Sequence, residues 1–226
     1  MLALIPAKSF SSRLKNKNIK LLNKKPLIYY TIKAALKSKK VKRVVVSTDS
    51  KKISKISMSY GAEVPFLRPK KYSKKLTTVK EVCKHAIKFL ENKEKKKIEE
   101  VLILQPTSPL RKPSDIDKAI SIFKKNKTNY LTSLSKTKPF EWFFYKKNKK
   151  KFSQISKKKI KNSQDLRQTY ILNGSIYILK RDLVFGKKIN LNSIIGIEIP
   201  TLRSIDIDDI NDFLFVDRLI KRKKNV

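Results

Sequence analysis

The sequence predicts an α/β fold built on a doubly wound, mostly parallel sheet. Short apolar runs that end in polar turns alternate with segments of helical period up to about residue 124. This alternation is typical of strands and helices that follow one another in βαβ units. The first apolar run covers Leu2 to Ile5 and stops at Pro6, as expected for a buried strand of a parallel sheet.

The other predicted elements follow in order along the chain. Up to residue 124 the apolar patterns predict strands at 43–49, 63–67 and 101–104, and helices at 27–38, 53–60, 79–90 and 114–124. Beyond residue 130 they predict strands at 131–134, 170–179 and 195–199, then a final helix at 210–220. Because 170–179 contains Asn173-Gly174, it is either a hairpin around that dipeptide or a strand with a glycine irregularity.

Polar turns follow three of the predicted strands, at residues 8–18, 47–49 and 105–108. Parallel strands end at one edge of a sheet, and ligands of open α/β sheets bind at that edge. The turn at 8–18 offers serine hydroxyls, backbone N–H groups and four cations, which suit a polyphosphate. It contains no glycine, so it is neither a Walker loop nor a dinucleotide fingerprint. The alternative is a solvated basic turn.

Composition limits the class of protein. Of the 226 residues, 40% are hydrophobic, so we treat 1–226 as a single domain with its own core. No apolar run approaches the roughly 20 residues that a membrane span needs, and the N-terminal run is too short for a secretory signal. One cysteine, Cys83, and one histidine, His85, exclude a disulfide framework and the usual zinc sites. We expect a cytoplasmic protein that does not bind membranes.

The formal net charge of +38 raises the possibility of a nucleic-acid partner. Lysine far outnumbers arginine, however, and its runs are spread along the whole chain. Sites that read bases or clamp phosphates favour arginine. We therefore interpret most of the charge as drift on tolerant surface positions and expect no nucleic-acid partner, although the charge helps to gather anionic substrates.

The clearest acidic feature is Ser204 to Asp209, with the sequence SIDIDD. On an extended segment Asp206 and Asp208 point to one face, while Ile205 and Ile207 turn to the core. Two carboxylates opposite a basic loop are what a Mg²⁺ that bridges a nucleoside triphosphate requires. The alternative is an N-cap cluster for the last helix, and we assign that cap to Asp209.

A rigid polar loop follows the strand at 101–104. Pro106 and Pro109 fix a turn that presents Gln105, Thr107 and Ser108, which suits recognition of a base, a sugar or a carboxylate. Asp49 either positions Mg²⁺ or substrate or caps the next helix. Because no Ser/His/Asp triad can be assembled, the residues favour nucleotidyl transfer, in which positioning and charge neutralisation dominate.

Residues 136–168 interrupt the regular pattern. They are polar, lack a helical period, and carry the aromatic run Trp142 to Tyr145 before a lysine run. Exposed aromatic side chains in such an excursion are either an arm that packs on a second subunit or the anchors of a long loop.

Several motifs occur in a fixed order. They are Ile5-Pro6-Ala7-Lys8 to Asn18, VVSTD at 45–49, YGAEVPFLRP at 60–69, LQPTSPLR at 104–111, Arg167-Gln168, NGSIYI at 173–178 and SIDID at 204–208. With these motifs the whole chain resembles the acylneuraminate cytidylyltransferases, or CMP-sialic acid synthetases, including those for legionaminic and pseudaminic acids. The resemblance implies a Rossmann-like, GT-A-like nucleotidyltransferase fold.

The resemblance also implies a reaction and a set of site residues. CTP and a nine-carbon 2-keto sugar acid give a CMP-sugar and pyrophosphate with Mg²⁺, in a homodimer formed through the arm at 136–168. The implied triphosphate and CTP ligands are Lys8, Ser11, Ser12, Arg13, Lys17, Asn18 and Arg68. Gln105, Thr107 and Ser108 would meet the sugar acid, and Arg167 would serve its carboxylate or the partner's site. Asp206 and Asp208 would ligate Mg²⁺, and with Lys8 and Lys17 they form the catalytic set.

Residues 5–18 depart from the family pattern I-P-A-R-x-G-S-x-x-x-P-x-K-N. Lys8 stands for the family's arginine, Phe10 for its glycine and Lys15 for its proline, while Ser12 replaces a cation for which Arg13 substitutes. A loop without that glycine has less freedom to approach phosphate. The S-S-R-L run also resembles the CMP-Kdo synthetases, which makes Kdo the alternative substrate. A basic polyanion-binding protein on a degenerate scaffold is the alternative outside this enzyme class.

Overall fold

A mixed six-stranded sheet forms the centre of the protein, with the strand order β10-β6-β9-β5-β1-β4. A computed structural model describes residues 1–156, 162, 164, 166–186, 188–192 and 194–222. The six strands are β1 (Leu2–Pro6), β4 (Arg43–Ser47), β5 (Glu100–Leu104), β6 (Tyr130–Thr137), β9 (Thr169–Lys180) and β10 (Ile195–Glu198). Two small ribbons pair β2 (Leu21–Leu22) with β3 (Lys25–Pro26), and β7 (Phe144–Lys146) with β8 (Phe152–Gln154).

Helices cover both faces of the sheet. They are α1 (Leu27–Leu36), α2 (Lys51–Ser59), α3 (Val79–Glu94), α4 (Pro113–Lys125), α5 (Arg181–Phe185) and α6 (Ile210–Arg222). One core cluster joins α1 and α4 to the face that carries Ile5, Val46 and Leu104, and another joins α3 and α5 to the face that carries Leu4 and Ile103. The predicted doubly wound α/β architecture is therefore confirmed.

The sheet is mostly parallel. β1 pairs in parallel with β4 and β5, and β6 pairs in parallel with β10. β9 is inserted between β5 and β6 and runs antiparallel to both. Because β1, β4 and β5 run the same way, the turns that follow them leave one edge of the sheet.

One sequence prediction needed correction, and another needed a choice between alternatives. The stretch 63–67 makes only isolated bridges, from Glu63 to Val45 in β4 and from Leu67 to Thr48 just after β4, and it is not a strand. Pro65 lacks the N–H that a continuous ladder needs. The stretch 170–179 is one strand, β9, and not a hairpin at Asn173-Gly174; its pairing with β6 shifts register between Thr132 and Leu134.

A third core cluster connects the two functional segments of the sequence. It contains Leu14 and Leu22 from the N-terminal region, Ile207 from the acidic segment, and Phe213 and Val216 from α6. The basic turn and the SIDIDD segment are therefore packed against the same apolar side chains.

The β7–β8 hairpin lies in the irregular region 136–168. Its strands expose the aromatic side chains of Phe144, Tyr145 and Phe152, which are 56%, 51% and 62% accessible. Residues 157–161, 163 and 165 of the predicted arm lie outside the described residues, and so does the lysine run at 157–161. Among the helices that the structure describes, none is long and apolar enough to cross a membrane.

Candidate active site

The basic turn leaves the sheet next to the end of β4. Pro6 lies opposite Ser47 in the parallel register, and the Ala7 N–H donates to the Ser47 carbonyl at 2.9 Å. The Asn18 side-chain amide donates to the Lys8 carbonyl at 2.9 Å, which folds the turn back on itself. The turn is therefore a closed loop, called here the phosphate loop (residues 8–18).

A cavity of about 270 Å³ lies between the phosphate loop, the residues that follow β5, and part of the segment 68–82. It brings together most of the residues that the sequence predicted for the nucleotide. The predicted site residues that line it are Lys8, Ser11, Ser12, Arg13, Lys17, Asn18, Arg68, Gln105 and Thr107. Phe10 lines it as well and is 61% exposed. We call this space the nucleotide cavity.

Arg68 is a buried cation in the wall of this cavity. Its side chain is only 2% exposed and lies 3.8 Å from the Asp49 carboxylate. Its Nε donates to the Ser73 hydroxyl at 3.0 Å, and its own N–H donates to the Thr48 carbonyl at 2.7 Å. Burial lowers the pKa of Arg68, and the Asp49 carboxylate opposes that shift. The wall therefore carries a fixed positive charge that suits a phosphate or a nucleobase carbonyl.

A second cavity of about 510 Å³ adjoins the first and shares Gln105 with it. Its wall comprises Asp206, Gly174, Tyr177 and a set of hydroxyl and amide side chains. Gly174 has a φ of +71°, and a Cβ there would lie 3.3 Å from Gln105 Oε1 and 3.9 Å from Asp206 Oδ2. The glycine therefore accommodates a left-handed backbone and keeps space between these two polar groups.

A hydrogen-bonded network fixes the polar side chains of this second cavity. The Asn173 amide donates to the Ser135 hydroxyl at 2.8 Å, and its carbonyl oxygen accepts from Ser133 at 2.5 Å. Ser135 in turn shares a hydrogen bond of 2.6 Å with Ser204. Pre-oriented hydroxyl and amide groups of this kind suit a polyhydroxylated ligand.

Asp206 and Asp208 occupy different environments. Asp206 is largely buried, its Oδ1 has no hydrogen-bond partner among the described residues, and burial raises its pKa against a hydrogen bond from Thr107. Asp208 is 41% exposed and lies 2.8 Å from Arg13 and 3.4 Å from Lys17. Lys17 also donates to the Ile207 carbonyl at 2.7 Å. Asp208 therefore contacts the phosphate loop, whereas Asp206 faces the second cavity.

These two carboxylates fit a magnesium ion. Mg²⁺ takes oxygen ligands, keeps several waters, and is commonly held by one or two carboxylates together with substrate phosphates. The unpartnered buried Oδ1 of Asp206 is an acceptor that a cation would satisfy. In the part of the chain that the structure describes, no group of three or more His, Cys, Asp or Glu residues forms a complete metal cage. Substrate oxygens would complete such a site.

The helix-capping alternative applies to Asp209 and not to its neighbours. Asp209 Oδ1 accepts from the N–H groups of Asn211 and Asp212, at 2.8 and 3.1 Å. The predicted N-cap role of Asp209 at α6 is therefore confirmed. Asp206 and Asp208 stay available for a ligand.

A third, mostly apolar cavity of about 220 Å³ lies behind Gln105. Its lining residues include Val79, Cys83, Ile103, Tyr177, Leu179 and Val184. Gln105 borders all three cavities, and Tyr177 borders the second and the third. The site thus combines a cationic space, a polar space and an apolar space around one amide side chain.

Two predicted residues lie elsewhere. Ser108 is completely buried and lines neither the nucleotide cavity nor the second cavity. Arg167 is exposed and lies outside all the described cavities. The structure of one chain therefore does not bring Arg167 into the site.

Sequence reasoning missed two residues that shape the site. Arg111 is buried and donates to the Gln105 carbonyl at 3.1 Å and to the Ser175 carbonyl at 2.6 Å. Burial lowers its pKa to about 9, opposed by Asp115 and Asp206. Tyr177 is the second. The available sequence signal for Arg111 was a charged residue after two prolines. The signal for Tyr177 was a tyrosine within an apolar strand.

Comparisons with known proteins agree on one family. A family model described as cytidylyltransferase matches residues 2–192. The CMP-N,N'-diacetyllegionaminic acid synthase of Legionella pneumophila is 36% identical, over 98% of this chain and 96% of that protein. The pseudaminic acid cytidylyltransferase of Campylobacter jejuni is 30% identical, over 97% and 96%.

The fold also matches solved structures. A CMP:2-keto-3-deoxy-manno-octonic acid synthetase complexed with CTP superposes with a TM-score of 0.72 over 98% of both chains, at 16% identity. A 4-diphosphocytidyl-2C-methyl-D-erythritol synthase from Anaerococcus prevotii gives a TM-score of 0.66 at 12% identity. These likenesses establish the fold.

The raised pKa of Asp206 predicts a stabilising substitution. The pKa of Asp206 is higher in the folded chain than in the unfolded chain. Ionisation of Asp206 therefore lowers the free energy of unfolding as pH rises through the range between these two pKa values. Asp206→Asn should therefore raise the free energy of unfolding and the Tm at pH 7, because the variant carries no charge that burial penalises. The gain should disappear below about pH 4, near the ordinary carboxyl pKa.

Thermal unfolding followed by calorimetry at pH 7 and pH 3.5 checks this. Asp208→Asn is the control, since Asp208 is more exposed and ion-paired, and it should give no gain. A lower Tm for Asp206→Asn at pH 7 would contradict the prediction.

Proposed function

This chain belongs to the cytidylyltransferase family, and on that premise we propose that it transfers CMP from CTP to the anomeric hydroxyl of a nine-carbon 2-keto sugar acid. Pyrophosphate is the second product. The observation that carries the proposal is the junction of a cationic cavity and a polar cavity at Gln105. A cytoplasmic location follows, because CTP is made and used in the cytoplasm.

The nucleotide cavity supports CTP as the donor. Lys8, Lys17 and Arg68 supply positive charge around it, and Ser11 and Ser12 supply hydroxyl donors. Lysine and arginine side chains neutralise the charge that collects on a leaving pyrophosphate. Asn18 holds the Lys8 carbonyl, so it positions the loop and does not need to touch the nucleotide.

The other two cavities support an acylated sugar acid. The second cavity offers the side-chain amides of Asn173 and Gln105 to hydroxyl groups. The apolar cavity behind Gln105 offers a space for the methyl group of an N-acyl substituent. The names of the Legionella and Campylobacter relatives specify diacetyllegionaminic and pseudaminic acids. A purely hydroxylated eight-carbon acid such as Kdo would leave the apolar space unfilled.

The chemistry requires no protein nucleophile. The sugar hydroxyl oxygen forms a bond to the α-phosphorus while the α–β bridging bond breaks, and the hydroxyl proton passes to solvent. Asp206 and Asp208 would hold a Mg²⁺ ion, which supplies Lewis-acid charge to the phosphate oxygens when bound. Lys17 in the phosphate loop donates to the Ile207 carbonyl and to Asp208, so it holds the loop against the acidic segment.

We expect turnover with an N-acylated nine-carbon acid and little with Kdo. Pyrophosphate release should be measured with CTP, Mg²⁺ and N-acetylneuraminic, diacetyllegionaminic, pseudaminic or Kdo acid as acceptor. One missing methyl contact is worth about 1–3 kcal/mol, so acylated acids should exceed Kdo by about 10- to 200-fold in kcat/KM. A preference for Kdo would overturn the substrate assignment. Steeply salt-dependent binding of polyanions without any turnover would favour the non-enzymatic alternative.

Removing either carboxylate should abolish metal-dependent turnover. Asp206→Ala and Asp208→Ala should lower kcat on the order of 10²–10³-fold, because transition-state charge loses its counter-ion. Pyrophosphate release should be followed as a function of Mg²⁺ concentration, with a chelator as blank. Asp209→Ala is the control, since it removes an N-cap worth about 1 kcal/mol and no predicted ligand. Normal turnover in the first two variants would disprove the metal assignment.

We also propose that residues 136–168 form an arm that pairs two copies of the chain. The region around the hairpin and the exposed half of β9 each present large apolar side chains. They are Phe140, Trp142, Phe143, Phe144, Tyr145, Phe152, Ile155, Tyr170, Ile171 and Leu172. An apolar surface of this extent is typical of a subunit interface. In a dimer, the exposed Arg167 of one chain would be free to reach the partner's site.

Charging this surface should yield a monomer. Phe144→Lys together with Phe152→Lys places two cations where apolar contact is proposed, so the sedimentation coefficient should fall from that of a dimer to that of a monomer. Phe215→Lys on α6 is the control, since Phe215 is 49% exposed and lies away from the arm. A wild-type chain that sediments as a monomer at micromolar concentration would refute the arm.

A further inference from the structure

Asp49 connects the phosphate loop to the end of β4. Its Oδ1 accepts from the Ser9 N–H at 2.8 Å, and its Oδ2 accepts from the Ser9 hydroxyl at 2.6 Å. Both carboxylate oxygens are thus engaged by one residue, which lies 40 positions away in sequence. Hydrogen bonds that include a carboxylate are shorter and stronger than neutral ones.

The sequence left Asp49 either as a helix cap or as a ligand for metal or substrate. The cap of α2 is Ser50, whose hydroxyl accepts from the Ile53 N–H at 3.3 Å. The carboxylate of Asp49 points to the phosphate loop, where it accepts both bonds from Ser9. On its other side it lies 3.8 Å from the Arg68 guanidinium. Asp49 therefore lies between Ser9 of the phosphate loop and Arg68 in the cavity wall, and it caps no helix.

The loop that Asp49 holds is the one that lacks glycine. Phe10 follows Ser9 directly, and none of residues 8–18 is glycine. The loop is tied at Lys8 by Asn18 and at Leu14, which is buried in the core cluster with Ile207. Between these two positions the described restraints are the pair of bonds from Ser9 and the ion pair of Arg13 with Asp208. The bonds from Ser9 act next to the residues that line the cavity.

We propose that Asp49 is a positioning residue that holds the phosphate loop through Ser9 and at the same time faces Arg68 toward the nucleotide. This inference rests on the proposed function for the identity of the ligand, CTP. The carboxylate fixes the backbone at Ser9, so that Lys8 and Ser11 lie beside the phosphates. Asp49 itself touches neither phosphate nor metal.

Removing the Ser9 hydroxyl isolates one of the two bonds. Ser9→Ala in the full chain should weaken CTP binding about tenfold, measured by titration calorimetry with Mg²⁺ and without sugar acid. Amide hydrogen exchange of residues 8–13 in the free protein should become faster. The KM for CTP should rise more than kcat falls, and Ser9→Thr, which keeps the hydroxyl, should restore all three.

Two further variants complete the test. Ser59→Ala removes a hydroxyl that bonds the Ile56 carbonyl on α2, and it should change neither CTP affinity nor loop exchange. In an Asp49→Ala background, Ser9→Ala should add less than its single effect, because the two residues share one interaction.

The outcomes separate this inference from the proposed function. If the wild-type chain binds CTP while Ser9→Ala changes neither affinity nor exchange, the role of Asp49 is wrong and the function stands. A lower Tm without a change in affinity would reduce Asp49 to a structural residue and would overturn the proposal as well. If the wild-type chain does not bind CTP, the proposed function and the positioning role fail together.

Discussion

The parallel pairing of β1 with β4 and β5 determines where everything else in this protein lies. The register places Pro6 beside Ser47 and Leu4 beside Ile103, so three polar turns leave the same edge. If one of these strands ran the other way, its turn would lie at the opposite edge of the sheet. The antiparallel strand β9 adds Gly174 and Tyr177 to the site because its middle crosses the same edge.

Buried positive charge lies directly beneath this edge. Arg68 and Arg111 are both at most 4% exposed, and burial lowers the pKa of each. A buried cation is costly unless its donors are satisfied. Arg68 faces Asp49, and Arg111 donates to two carbonyls that end β5 and line β9. These guanidinium groups hold the backbones that carry the site, while Arg111 Nε has no hydrogen-bond partner among the described residues.

The sequence was sufficient for the fold and for the grouping of most site residues. Lys17, Arg68, Gln105 and Asp206 could be grouped because each follows or borders a recognisable strand or motif. The bonds from Ser9 to Asp49 and from Arg111 to Gln105 could not be predicted, because they depend on side-chain directions across separate elements. The stretch 63–67 had the composition of a strand, but Pro65 removes the donor that pairing needs. The place of Arg167 in the sequence could not show which ligand or subunit it contacts, since its side chain is exposed in the single chain.

Asp206 and Asp208 of the SIDIDD segment differ in how deeply their carboxylates are buried. Asp208 is exposed enough to keep its charge at little cost and to pair with Arg13 and Lys17, so it ties the phosphate loop to the acidic segment. Asp206 is more deeply buried, and burial penalises its ionised form. Its Oδ1 has no hydrogen-bond partner among the described residues. That unsatisfied charge is the stronger reason to expect a cation, because binding one would relieve the cost that folding imposes. Stability lost at Asp206 would then be regained when metal and nucleotide bind, which couples occupancy of the site to the stability of the fold.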